Sequence, residues 1–420
     1  MSSTQSPLVA ADKILQAKIT LKDVVPPTPL QFNQQLSEKC GARIYLKRED
    51  LNIVRSYKIR GAFNKIASLS DQQRANGIFC ASAGNHAQGV AYACFHQKIH
   101  GKIYMPTPTT SQKIDRVRMF GKEFVEVILI GDTFDDANSR AVKDCEAAGG
   151  TFVPPFDDEK VIEGQGTVAV EILDEISEPI DYLLVPIGGG GLSAGVGSYF
   201  KALSPKTKII GVEPLGAPAM KKSLEAGQVV TLESIDKFVD GAAVQSVGKL
   251  NLEICKEVLS DVVLVPEGKV CTALLELYNN EGIIVEPAGA LTTAALDLVA
   301  GQIKGKTVVA IVSGGNNDII RMAEIKERSM LYEGLRHYFI VKFPQRAGAL
   351  KEFLVNVLGP NDDIILFEYT KKTARENGPA MIGIELKDRN DFQSLLDRMK
   401  AYNINYQLLN NKPELFGMLV

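Results

Sequence analysis

Asp181-Tyr-Leu-Leu-Val-Pro-Ile-Gly-Gly-Gly-Gly-Leu-Ser-Ala-Gly195 (DYLLVPIGGGGLSAG) runs from a short apolar stretch through four consecutive glycines into a helix-like pattern. A plain turn needs one or two glycines, and each further one costs backbone entropy. Consecutive amides without side chains, at the start of a helix, form a nest for a phosphate. A second reading fits the same letters. Gly189-x-Gly191-x-x-Ala194, with Glu213 at the end of the next apolar run, matches a dinucleotide-binding fingerprint. Both readings require strand, glycine turn and helix, and so an α/β chain.

The surrounding sequence repeats that unit. ARIYLKRE, GIFCAS, KIYMPT, FVEVILIG, KIIGVEP, VVLVPE and TVVAIVSGG read as buried strands, most of them followed by amphipathic stretches. DDANSRAVKDCEAAGG and CTALLELYNNEG read as helices stopped by glycine. The alternation predicts α/β architecture with mostly parallel sheet. Near residue 330 the pattern changes. HYFIVKF, GALKEFLVNVLG, DIILFEYTKK, PAMIGIELK, DFQSLLDRMKAYN and YQLLNN follow in the order β-α-β-β-α-β, a ferredoxin-like unit.

Three further stretches carry chemistry-bearing residues. Arg55-Ser-Tyr-Lys-Ile-Arg-Gly-Ala62 holds Lys58 beside Tyr57 at the start of a helix-like segment. One reading is a lysine whose stem packs and whose amine stays in water; the other is a Schiff-base lysine, its ammonium disfavoured by Arg55 and Arg60. Ser82-Ala-Gly-Asn-His-Ala-Gln-Gly89 follows the strand GIFCAS. It is either an ordinary turn capped by Asn85 or an anion site at the carboxyl end of a strand. VVAIVSGGNND, residues 308–318, ends a strand in Ser313. Ser313 either belongs to a simple loop or presents a neutral hydroxyl to a ligand. A dinucleotide enzyme leaves Lys58 and the SAGNH turn without a use.

Composition narrows the field. The 420 residues carry 47 basic and 50 acidic side chains, a net charge of -3, so no field is aimed at nucleic acid or a membrane surface. No stretch stays apolar for the roughly 20 residues of a membrane span. The N-terminal sequence lacks the pattern of a secretory signal. The six scattered cysteines, with no CxxC pair, read as reduced thiols of a cytoplasmic protein. The four histidines show no metal-ligand spacing.

Taken together, RSYKIRGA, SAGNHAQG, GGGGL and the Ser313 turn resemble the pyridoxal-phosphate enzymes of the tryptophan-synthase-β fold type. Within that group the chain looks like the biosynthetic threonine dehydratases, and the likeness covers nearly its whole length. The resemblance implies a two-lobed catalytic domain of mostly parallel sheets over residues 1–325, with a smaller lobe at about 52–155 set into the larger one. A connector at 326–336 and an ACT-like regulatory domain at 337–420 follow. It implies pyridoxal 5'-phosphate as cofactor, bonded to Lys58, which later takes the substrate's α-proton. Tyr57 would lie near the cofactor ring and Asn85 would meet its hydroxyl. Gly188, Gly189, Gly190, Gly191 and Leu192 would hold its phosphate, and Ser313 would face the pyridine nitrogen. Ser82, Ala83, Gly84, Asn85 and His86 would hold the substrate carboxylate. No metal is implied. The implied substrate is L-threonine, with L-serine as alternative. The implied effectors are isoleucine and valine, and the implied assembly is a homotetramer. A serine racemase of the same fold type would need a second acid/base group, and no residue stands out for that role. A non-enzymatic amino-acid sensor would explain the tail and leave Lys58 unexplained. Glu213, Gly241 and Glu286 carry no assigned role at this level.

Overall fold

The computed structural model describes residues 7–369 and 376–412. The chain divides into two compact units, Met1–Ile319 and Ile320–Val420.

The first unit holds two sheets. The larger has six strands in the order Leu30–Phe32, Arg43–Arg48, Thr307–Val312, Tyr182–Pro186, Lys208–Pro214 and Asp261–Val265. All neighbours are parallel except the first pair. The two central strands, Thr307–Val312 and Tyr182–Pro186, are buried at every residue. Burial of odd and even positions alike means both faces are covered, as parallel sheets require. The smaller sheet orders Val125–Leu129, Gly101–Met105, Ile78–Ala81 and Thr151–Phe152, all parallel. Its strands fall between Arg43–Arg48 and Tyr182–Pro186 in the chain.

Two details depart from the sequence reading. The runs FVEVILIG and VVLVPE, read as buried strands, form the edge strands Val125–Leu129 and Asp261–Val265, and both are only partly buried. An edge strand has one neighbour, so its apolar content exceeds what the fold covers. The strands Leu30–Phe32 and Thr151–Phe152 were not legible, because two or three residues show no periodicity.

The second unit is an antiparallel sheet in the order Asp363–Tyr369, Asn377–Glu385, Arg336–Pro344 and Asn405–Leu408. With the helices Ala349–Asn356 and Asp391–Ala401 it gives the ferredoxin-like order. The end of the expected strand DIILFEYTKK lies outside the described residues. Phe339, Val341, Phe343, Phe353, Ile382, Ile384, Leu395 and Met399 build its core. Gly348 takes φ +81 at the turn into Ala349–Asn356, a conformation few other residues adopt. The helix Met322–Tyr332 belongs to this unit. Its Glu327 pairs with Arg336 and accepts a hydrogen bond from the Tyr338 hydroxyl at 2.9 Å. Among the described residues no helix is long and apolar enough to cross a membrane.

Candidate active site

Lys58 opens the helix Lys58–Ala67. The backbone before it is tied to the turn after the last central strand. The Tyr57 N–H donates to the Ser313 carbonyl at 3.2 Å, and the Gly315 N–H donates to the Arg55 carbonyl at 2.9 Å. Ser56 forms an isolated bridge with Gly314. Arg55 takes φ +55 to make this junction. The stretches around Lys58 and Ser313, more than half the chain apart, are thus stitched together through backbone. Glycine at position 89 lets the next helix press on the lysine turn, since a Cβ there would sit 3.2 Å from the Ile59 backbone.

The Lys58 amine donates to the Pro155 carbonyl at 2.8 Å and lies 5.3 Å from the centre of the Tyr57 ring. Removal from water lowers its pKa to about 8, against the opposing pull of the Glu286 charge. The sequence reading gave that effect to Arg55 and Arg60, and this is corrected. The Arg60 guanidinium is buried and bonded to two carboxylates, with Nε 2.8 Å from Glu49 and Nη1 2.6 Å from Glu171. A charge so neutralised exerts little field on its neighbours.

The turn Ser82–Gly84 leads from the strand Ile78–Ala81 into the helix Asn85–Gln97. The Ser82 hydroxyl accepts from the Gly84 N–H at 3.2 Å. Asn85 Nδ2 donates to Glu286 at 2.6 Å, and Asn85 Oδ1 accepts from Asn316 Nδ2 at 2.7 Å. The buried His86 ring sits 2.9 Å from the Val153 carbonyl through Nε2. Burial first, and then the Lys58 charge, push its pKa down to about 3, so the imidazole is neutral and Nε2–H is the donor.

Four glycines open the helix Gly191–Leu203. Gly190 takes φ +95. A Cβ on Gly189 would lie 2.2 Å from the Phe156 ring, and one on Gly191 would lie 2.9 Å from the Phe156 carbonyl. The Gly189 carbonyl is held by Asn251 Nδ2 at 2.8 Å and the Gly248 N–H at 3.1 Å. That leaves the loop's amides and the helix N-terminus as its donors. Leu192 is buried in the large core, and among the described residues the buried Ser193 hydroxyl meets no hydrogen-bond partner.

The dinucleotide reading needs Glu213 for a ribose. Glu213 instead accepts from the Met220 and Lys221 N–H groups at 2.7 and 2.9 Å. It holds the start of the helix Ala219–Ala226, and that reading is withdrawn.

Ser313 is buried, and its hydroxyl donates to the Ala288 carbonyl at 3.2 Å. Beside it lies Glu286, a buried carboxylate. Burial, with help from Asp240, raises its pKa to about 7; hydrogen bonds from Asn85 and the Asn316 N–H oppose the rise.

A family model described as pyridoxal-phosphate dependent enzyme matches residues 21–314, and one described as C-terminal regulatory domain of threonine dehydratase matches residues 327–419. The chain is 58% identical over 412 residues to L-threonine dehydratase biosynthetic IlvA of Halalkalibacterium halodurans, covering 98% of this chain and 99% of that relative. The chain belongs to the biosynthetic threonine dehydratases, a family of pyridoxal-phosphate-dependent enzymes. It is 56% identical over 416 residues to the protein of the same name in Bacillus subtilis, covering 99% of each. Among solved structures it resembles the processed form of threonine deaminase isoform 2 from Solanum lycopersicum, with TM-score 0.72 and 39% identity. That likeness covers 77% of this chain and 96% of the other.

In this threonine dehydratase family member the sequence reading named Glu286 without assigning it a role and passed over two further parts of the site. Glu286 precedes Pro287 and reads as an ordinary helix start. Asn316 sits one residue past the glycines of the Ser313 turn. Val153–Phe156 reads as a connector, yet it holds the His86 ring, the Lys58 amine and the glycine loop. The one available signal was a lone acid inside the apolar run GIIVEPAGALTTAA.

Proposed function

We propose that this chain converts L-threonine to 2-oxobutanoate and ammonia with pyridoxal 5'-phosphate, the first step toward isoleucine. The carrying observation is the convergence of one lysine of lowered pKa, one glycine cradle and one buried serine hydroxyl. The residues fit that cofactor. The cradle has no room for a Cβ, the Ser193 hydroxyl beside it is buried and unpartnered, and the Lys58 amine is depressed toward neutrality.

When bound, pyridoxal phosphate supplies an aldehyde for an amine and a ring that takes up negative charge from the substrate α-carbon. Lys58 would hold it through its amine. Backbone amides of Gly188, Gly189, Gly190, Gly191 and Leu192 bind its phosphate, helped by the dipole of their helix. Ser313 offers the pyridine nitrogen a neutral hydroxyl where a carboxylate would keep it protonated. Asn85 meets the ring hydroxyl, and the Tyr57 ring lies beside the Lys58 amine. The turn Ser82–His86 would hold the substrate carboxylate through the amides of Ala83, Asn85 and His86, since the Ser82 N–H is spent on the Tyr104 carbonyl at 3.1 Å and the Gly84 N–H on the Ser82 hydroxyl. Lys58 Nζ would take the proton from the threonine α-carbon. The β-hydroxyl departs as water with one proton. Water then hydrolyses the released enamine, so L-threonine is divided into 2-oxobutanoate and ammonia without an external oxidant or reductant.

L-Serine fits the same chemistry, because one methyl group in an apolar pocket is worth only about 1–3 kcal/mol. The domain limits we propose are residues 1–325 with a smaller lobe at about 52–155, a connector at 326–336 and a regulatory domain at 337–420. That domain would bind isoleucine as inhibitor, with valine opposing it, in a cytoplasmic homotetramer.

The test is an absorbance spectrum of the purified protein before and after L-threonine, with 2-oxobutanoate measured in the same sample. Visible absorbance of bound cofactor and appearance of product support the reading. A colourless protein that pyridoxal phosphate cannot reconstitute overturns it. Repeating the assay with L-serine, isoleucine and valine tests the finer assignments, and sedimentation gives the subunit number.

A further inference from the structure

Glu286 stands where a helix N-cap belongs, immediately before Pro287–Ala295, yet its side chain makes no capping bond. The carboxylate turns instead to Asn85 Nδ2 at 2.6 Å and to the Asn316 backbone N–H. Room for it is specific: a Cβ on Gly314 would lie 2.4 Å from Glu286 Oε1. Asn316 completes a chain of donors. Its Nδ2 gives one hydrogen to the Val54 carbonyl at 2.8 Å and the other to Asn85 Oδ1 at 2.7 Å.

This arrangement has one solution for the Asn85 amide. Asn316 Nδ2, identified as the amide nitrogen by its bond to the Val54 carbonyl, only donates, so Asn85 Oδ1 must face Asn316 and Asn85 Nδ2 is left to donate to Glu286. One Asn85 N–H then remains, and among the described residues it meets no acceptor. The geometry points to Glu286 as a positioning residue of the reaction, which together with Asn316 fixes the Asn85 amide so that its remaining N–H serves the cofactor ring hydroxyl. The inference rests on the functional reading above. Other charged groups act on the Glu286 carboxyl and its neighbours. Asp240 and Lys113 oppose one another there, and the Glu286 charge in turn favours the Lys58 ammonium.

The test is a double-mutant cycle on the reconstituted holoenzyme. The dissociation constant of pyridoxal phosphate and the visible absorbance maximum are read for wild type, Glu286→Ala, Asn85→Ala and the pair. Each single change weakens binding about tenfold, the equivalent of one hydrogen bond to a charged or polar partner, and moves the maximum. The double variant is no weaker than the Asn85→Ala variant, because Glu286 acts through Asn85. Glu286→Gln, which keeps one acceptor oxygen, recovers most of the lost affinity. Losses that multiply in the double variant, or a Glu286→Ala protein with unchanged affinity and spectrum, overturn the inference. Should Glu286→Ala fail to fold, Asn316→Ala in the same cycle carries the test, with the same coupling expected and simple multiplication overturning it. A wild type that takes up no pyridoxal phosphate condemns the functional reading instead, so the two failures are distinguishable.

Discussion

Two clusters of charge lie within one helical turn of each other, around Arg60 and around Lys58, and they are built on opposite rules. Arg60 spends all five of its N–H donors on protein oxygens: two on Glu49, two on Glu171 and one on the Thr167 hydroxyl. Lys47 adds a second cation to Glu171 at 2.7 Å. Every charge there is answered. Around Lys58 the answers are incomplete. Among the described residues its one acceptor is a neutral carbonyl, and burial leaves its amine with a pKa of about 8 and the Glu286 carboxyl with one of about 7. The difference separates charge that holds the lysine helix in place from charge left available for chemistry.

The comparison can be broken at several points. The largest effect is expected at Lys58. Lys58→Ala should reduce 2-oxobutanoate formation by at least about a hundredfold, the lower range for a positioned base, while the denaturation midpoint stays near wild type. Arg60→Ala should do the reverse in kind. It leaves two buried carboxylates unanswered and should cost about 3–5 kcal/mol of stability, read from the denaturant midpoint. Arg60→Lys should not restore it, since an ammonium cannot reproduce two bidentate contacts. Gly189→Ala forces the Phe156 ring aside and should destabilise by about 1–3 kcal/mol, with weaker cofactor binding by absorbance titration.

The smallest effect is a shift in pH dependence. Capture of pyridoxal phosphate by the cofactor-free protein needs the neutral amine of Lys58. Its rate should therefore rise through pH of about 8 and level off above it. Glu286 charge favours the ammonium, so Glu286→Gln removes a raising influence and should move the midpoint to lower pH. A midpoint that moves upward would show that the carboxylate does not face the amine.

How much of this was legible follows from the same contrast. Lys58, the four glycines and Ser313 could be singled out as candidates because the proposed chemistry demands those residue types within short stretches. The network that supports them could not. Asn85 and Glu286 lie 201 residues apart, and Arg60 and Glu171 lie 111 apart. Without those partners Arg60 read as a charge acting on Lys58, when it is a charge spent elsewhere. Glu213 misled in the same way, since spacing fits a ribose ligand and a helix cap equally well. The regulatory unit read cleanly because its strands are long enough to show alternation, whereas the strand Thr151–Phe152 has two residues.

The most direct measurement is borohydride reduction of the cofactor-loaded protein followed by peptide mass spectrometry. A pyridoxyl group fixed on the peptide bearing Lys58, and lost in Lys58→Ala, is the result expected. A label on another lysine, or none in a protein that turns over L-threonine, would contradict the assignment of Lys58 and the contrast built upon it.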